Sequence, residues 1–225
     1  MAAGMLAVPA FGEPIVGAEY ASPTNRYAHG VLGDAIEWGA LQLSLADGTY
    51  ERFELPDHMV FEDLAPRLHD LDGDGSPEVI TVLTHMDKGA ALAIFGPDGL
   101  IAQTPHIGKR NRWLAPLGAG DLLGDGDQIV AYIDRPHLAK TLRLWRYKDG
   151  QLVTAGQFGG LTSHRIGDDF IVGGIRSCAG KDEVVTVDAS WQNVMVTSFH
   201  SDEPTSRAVG RYTGRQSVDH ALNCS

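Results

Sequence analysis

Short runs in which apolar and polar residues alternate recur along the chain, bounded by glycine, proline or aspartate. A period of two predicts half-buried β-strands rather than helices. Four runs lead into a turn: Ala40-Leu41-Gln42-Leu43-Ser44-Leu45-Ala46-Asp47-Gly48, Ala91-Leu92-Ala93-Ile94-Phe95-Gly96-Pro97-Asp98-Gly99, Leu142-Arg143-Leu144-Trp145-Arg146-Tyr147-Lys148-Asp149-Gly150, and Val194-Met195-Val196-Thr197-Ser198-Phe199-His200-Ser201-Asp202-Glu203. Asp-Gly between alternating runs predicts a β-hairpin, because glycine accepts the positive φ that the turn requires; the fourth run has lost its glycine. The turn aspartates stand at 47, 98, 149 and 202, so successive spacings are 51, 51 and 53.

A second pair of strands is predicted upstream of each hairpin. In the second repeat it is Leu64–His69 and Glu78–Leu83, and in the third Leu114–Ala119 and Gln128–Ile133, both repeats opening on Leu-Ala-Pro. The fourth offers Ile171–Ile175 and Glu183–Val187; the first offers Ile15–Ala18 and a less regular strand near Val31. Four strands per unit, no long amphipathic helix and 27 glycines predict an all-β fold, a β-propeller of four blades of about 51 residues. Five blades stay open if the termini build one jointly, and a stacked β-solenoid is the structural alternative. Residues 13–225 read as one such domain with a C-terminal tail. Residues 1–12 read as an apolar leader that resembles the back half of a secretory signal.

Composition narrows the function classes. With 29 acidic against 18 basic residues, the net charge of −11 argues against a nucleic-acid binder. No stretch approaches the ~20 apolar residues of a membrane-spanning helix, so no membrane insertion is expected. Cys178 and Cys224 are expected to join the tail to the last repeat by a disulfide in an oxidising compartment, and to be a buried pair in a reducing one. With the leader, this predicts a periplasmic or secreted protein.

The sharpest local signal is Asp70-Leu71-Asp72-Gly73-Asp74-Gly75-Ser76-Pro77-Glu78, followed directly by a strand. Carboxylates of Asp70, Asp72, Asp74 and Glu78, with the backbone carbonyl of Ser76, are the hard oxygen ligands that Ca2+ favours. One Ca2+ is expected here. The third-repeat counterpart, Asp121–Asp127, places Leu123 where a carboxylate should stand and is one residue shorter, so no second ion is expected there.

The Asp70–Glu78 loop and the ~51-residue units together resemble the FG-GAP, or VCBS-type, repeats of integrin α-subunit propellers and of many bacterial exported proteins. The resemblance spans roughly residues 13–210, and only the Asp70–Glu78 loop matches the family's metal motif closely. It implies a propeller whose calcium is structural and whose task is binding, without implying any one reaction.

Propeller geometry sorts the loops onto two faces. The calcium loop shares a face with the Asp-Gly turns, while the opposite face collects His, Arg and Trp from the remaining links. Arginine forks bind carboxylate or phosphate at two points, and indole faces stack on sugars or cations. Arg112, Trp113, Arg135, His137, His164 and Arg165 are therefore the candidate ligand contacts, for an anionic or carbohydrate-like ligand or a protein partner. The structural alternatives are an Arg135 brace to Asp134 or Asp169 and tryptophan wedges between blades. No nucleophile elbow, HExxH helix, phosphate loop or Cys-x-x-Cys is present. A binding module is favoured. A small propeller enzyme, a hydrolase or lyase on polysaccharide or ester, is the alternative, as is convergence of His85, His137 and His164 on a transition metal.

Overall fold

The computed structural model describes residues 12–201 and 203–224; the apolar leader up to residue 11 and the turn residue Asp202 lie outside the described residues. The chain folds as antiparallel β-strands in four consecutive groups. The first comprises β1 (Ile15–Thr24), β2 (Glu37–Leu45) and β3 (Tyr50–Glu54). After a short linking strand, β4 (Met59–Phe61), come β5 (Arg67–His69), β6 (Glu78–His85), β7 (Gly89–Gly96) and β8 (Gly99–Gln103). The third group is β9 (Leu114–Gly120), β10 (Ile129–Asp134), β11 (Thr141–Lys148) and β12 (Gln151–Gly159). A second link, β13 (Leu161–Thr162), leads to β14 (Gly174–Cys178), β15 (Lys181–Asp188), β16 (Asn193–Ser198) and β17 (Thr205–Arg211). A single described helix, α1 (Arg215–Leu222), ends the chain.

Within each group, consecutive strands pair as a meander. The Asp-Gly turns take the conformation that glycine permits: Asp149 and Gly150 have φ of 50° and 69°, both positive as a type I′ hairpin requires. Alternation fails where both faces of a strand are covered. β10 is buried at every position and β6 at all but its last, so their sequences read as nearly continuous apolar runs.

The structure departs from the expected strands in four places. Residues 25–36 form no strand near Val31; they are a long connection between β1 and β2. Leu64–Pro66 stay outside β5, which begins after Pro66, a residue with no N–H to donate. The inner strand of the last group begins at Gly174 rather than Ile171. Gly173 sits at φ 102° with its α-carbon so close to β15 that a Cβ would lie 2.3 Å from the Val185 carbonyl. Finally, the first two groups are not separate sheets. β4 pairs with β2 through Trp38 and Phe61 and with β6 through residues 59–61, giving one sheet of eight strands beside sheets of four and five.

The first strands of the four groups touch in sequence, β1 against β5, β5 against β9 and β9 against β14. The 25–36 connection reaches the last group: the Gly167 N–H donates to the Val31 carbonyl at 3.1 Å. Leu92, Leu114, Leu122, Ile129, Ile133 and Leu142 form the centre of the largest core cluster. Helix α1 buries Val218 and Ala221 against β15 and β16, Arg176 donates to the Ala221 carbonyl at 2.8 Å, and Cys224 is disulfide-bonded to Cys178 with Cα atoms 5.9 Å apart. The tail is thus tied to the last group, as the oxidising alternative predicted; the bond fits a non-reducing compartment. Among the described residues, no helix is long and apolar enough to cross a membrane.

Candidate functional site

Two chemically opposite regions occupy the two ends of the strands. At one end, the 70–78 loop folds around its own carboxylates. Asp70 accepts the N–H groups of Gly73 and Gly75 at 2.8 and 3.0 Å, Asp74 accepts that of Ser76 at 2.7 Å, and buried Glu78 accepts that of Leu71 at 2.8 Å. Oxygens of Asp70, Asp72 and Glu78 lie within 4.8 Å of one another, the one group of three or more such ligand atoms among the described residues. Asp74, expected as a further carboxylate ligand, is not in that group. Burial, with the charges of Asp72 and Asp74 beside it, pushes the Glu78 carboxyl up to about 6. Three hard oxygens crowding one another without a countercharge fit a cation such as Ca2+.

The counterpart loop carries its own countercharge. Arg146 on β11 donates to Asp125 at 2.7 and 3.1 Å and also pairs with Asp127. Register makes the comparison direct: Arg146 pairs with Ile129, as Phe95 pairs with Val79 in the preceding group. A guanidinium stands beside the second loop where the first has a phenyl ring. Both loops and the Asp149 turn border one groove, so the acidic loop does share an end with the Asp-Gly turns.

At the other end of β10, about 20 Å away at ~3.3 Å per residue, lies a cavity of about 30 Å³, room for one water. It is lined by His29, Asn111, Arg112, Trp113, Arg135, His137 and Leu138. The strands bring these residues together from distant segments: His29 from the 25–36 connection, Arg112 and Trp113 from the link before β9, Arg135 and His137 from the connection after β10. Trp113 is buried, donates its indole N–H to the Glu62 carbonyl at 2.8 Å and meets the His164 ring edge-on, with centroids 4.9 Å apart. That is largely a wedge. Arg135 grips Asp134 with two bonds of 2.8 Å, the brace named as its structural alternative.

His137 Nε2 lies 3.0 Å from His164 Nδ1, and His164 Nε2 donates to the Asp168 carbonyl at 2.9 Å. Burial and the neighbouring His164 and His29 lower His137 to about 4, and burial lowers the buried His164 as well. Both shifts favour the neutral ring. Arg165 is placed apart from the cavity, exposed and stacked over Trp191 with its guanidinium carbon 4.2 Å from the ring centre. His85 does not join His137 and His164; it packs instead between His58 and His106, at 5.1 and 5.8 Å.

Sequence reasoning missed His29, Glu62 and the functional weight of Glu37. His29 Nδ1 is hydrogen-bonded to the buried Glu62, whose other oxygen accepts the Thr84 hydroxyl at 2.7 Å. Glu37 faces the same region. Trp38 pairs with Phe61, so Glu37 and Glu62 are the next neighbours across β2 and the end of β4. Burial first, then the charge of Glu62, raises Glu37 to about 9. The linear chain offered only the length of the 25–36 connection, which exceeds that of the 70–77 and 121–128 loops at the same place in the second and third groups.

No protein-family model matches the chain, and no curated protein matches its sequence.

Proposed function

We propose that this chain is an exported, calcium-stabilised four-bladed propeller of the FG-GAP/VCBS type. In this reading it acts as a binding module for an anionic or carbohydrate-like ligand, or for an acidic protein surface. The reading is carried by the opposite chemistry at the two ends of the same strands. Three carboxylates converge at one end, and two arginines and two histidines border a cavity at the other. Asp70, Asp72 and Glu78 would hold the ion directly, with Asp74 and the Ser76 carbonyl completing its shell after small shifts. The four strand groups and the contacts among β1, β5, β9 and β14 support the blades. The disulfide supports an exported location. On the opposite face, Arg112 and Arg135 would take the negative charge, His137 would add a polar contact with buried His164 bonded behind it, and the exposed Arg165 would extend the site.

Thermal unfolding tests both halves of the proposal. A metal bound only by the native state adds about 2.7 kcal/mol at a hundredfold excess over Kd, roughly 5–10 °C in Tm for a chain of this length. Calcium should give that rise over chelator, and Asp72→Ala should abolish it. With calcium present, acidic oligosaccharides should raise Tm further, and less so in Arg112→Ala. A parent chain indifferent to calcium and to every acidic ligand would sink the reading.

A further inference from the structure

We propose that the groove between the link after β8 and the third strand group binds a hexuronate, a six-membered sugar ring carrying one carboxylate. Register builds this groove. Tyr132 and Asp134 stand two apart on β10, and Arg143 and Trp145 two apart on β11, so each pair points to one face of its strand. Tyr132 pairs with Arg143, and Trp145 with Thr154 on β12, which sets all five on the same face of the sheet. The β11–β12 register passes over Ala155 between Thr154 and Gly156, a bulge of the kind that re-aims side chains beside sites. Pro105 and Ile107, from the link to β9, form the facing wall. The space between is about 280 Å³, at the lower end of small-molecule sites, which start at about 300 Å³. That is room for one ring rather than a chain. The groove shares only Arg135 with the cavity at Arg112 and His137, so it is a separate site.

The lining selects the ligand. Trp145 donates its indole N–H to the Tyr132 hydroxyl at 3.2 Å. What remains for a ligand is the indole's carbon surface, on which a sugar ring stacks. Asp134 is buried and gripped by Arg135 with two bonds of 2.8 Å. Arg135 holds φ 46°, a left-handed conformation unfavourable to its side chain, as it folds back onto Asp134. Arg143 reaches Asp134 only at 3.5 Å and is otherwise bonded to Gln157. A guanidinium has five N–H groups, so Arg143 keeps donors for a second carboxylate. Asp134 is the sole acid among the lining residues, against two arginines, which leaves one positive charge to be matched. A neutral sugar leaves that charge unmatched, and a phosphate dianion exceeds it and presses on Asp134. The exposed Thr154 hydroxyl serves the hydroxyls of the ring.

The test is calorimetric titration of the full chain, in calcium, with methyl glucuronide and methyl galacturonide. At least one should bind with Kd on the order of 1 mM. The matching glucoside or galactoside, in which a hydroxymethyl group replaces the carboxylate, should bind at least about tenfold more weakly. Trp145→Ala should abolish binding, Arg143→Gln should weaken it at least about tenfold, and Arg112→Ala should leave it unchanged. Arg143 is partly exposed and outside the core, so Arg143→Gln decides if Trp145→Ala fails to fold. Failure of both uronides to bind, equal binding of the neutral glycosides, or affinity that Arg143→Gln retains overturns the proposal. Loss in Arg112→Ala with Arg143→Gln unaffected overturns it too, and moves the uronide to the cavity at Arg112, leaving the binding face proposed above in place.

Discussion

Glu37 and Glu62 are adjacent carboxyls in a buried corner, and burial raises both above the usual carboxylate range. For Glu37, at about 9, the sign of the pH effect is fixed. A carboxyl with a raised folded pKa binds its proton more tightly in the folded chain, so stability is highest below the unfolded pKa and is lost as pH rises toward 9. Glu37→Gln keeps the shape of the protonated form without the titration. It should raise stability at pH 7, by at most on the order of 3 kcal/mol, and flatten the decline between pH 5 and 9 in denaturant titrations. A variant with the parent's pH profile would show that Glu37 ionises freely. None of this was visible in the linear chain. Glu37 and Glu62 are 25 positions apart, and only the β2–β4 pairing sets them side by side. Asp70–Glu78 was legible because its carboxylates are neighbours in sequence.

Strand periodicity carried most of the element-level reading, because a half-buried strand writes its orientation into every second residue. β9, β10 and the Asp-Gly hairpins fall where alternation and turn residues placed them. The errors fall where local rules compete with close approach. Gly173 is one such point, and Gly89 makes a similar approach: it sits at φ 74°, and a Cβ there would lie 2.5 Å from the Lys109 carbonyl and 2.8 Å from that of Arg112. The β6–β7 turn therefore seats the link that presents Arg112. Gly48, at φ 85°, has open space around it. Gly48→Ala should cost about 1 kcal/mol, a backbone effect alone. Gly89→Ala should cost about 3 kcal/mol or more and weaken binding at the Arg112 face, as read by denaturant melts and ligand titration. Equal losses at the two positions would mean that the close approach carries no weight.

The four groups of strands do not have equal standing in the whole molecule. The last is fastened to the tail by the disulfide and α1, while the first and second share a sheet through β4. Repeat architectures commonly loosen one unit at a time, since each unit touches only its neighbours. Here Met59–Phe61 hydrogen-bonds to β2 on one side and β6 on the other, so neither of those strands opens without stripping a buried link. The eight-stranded sheet, residues 15–103, should accordingly exchange its amide hydrogens as one cooperative body, with matched protection in β2, β4 and β6. Independent protection of the first group in native-state exchange would show that the bridge is weak. A three-residue strand thereby sets the grain at which the molecule comes apart: the first two strand groups together, not either one alone, are the smallest piece that can leave.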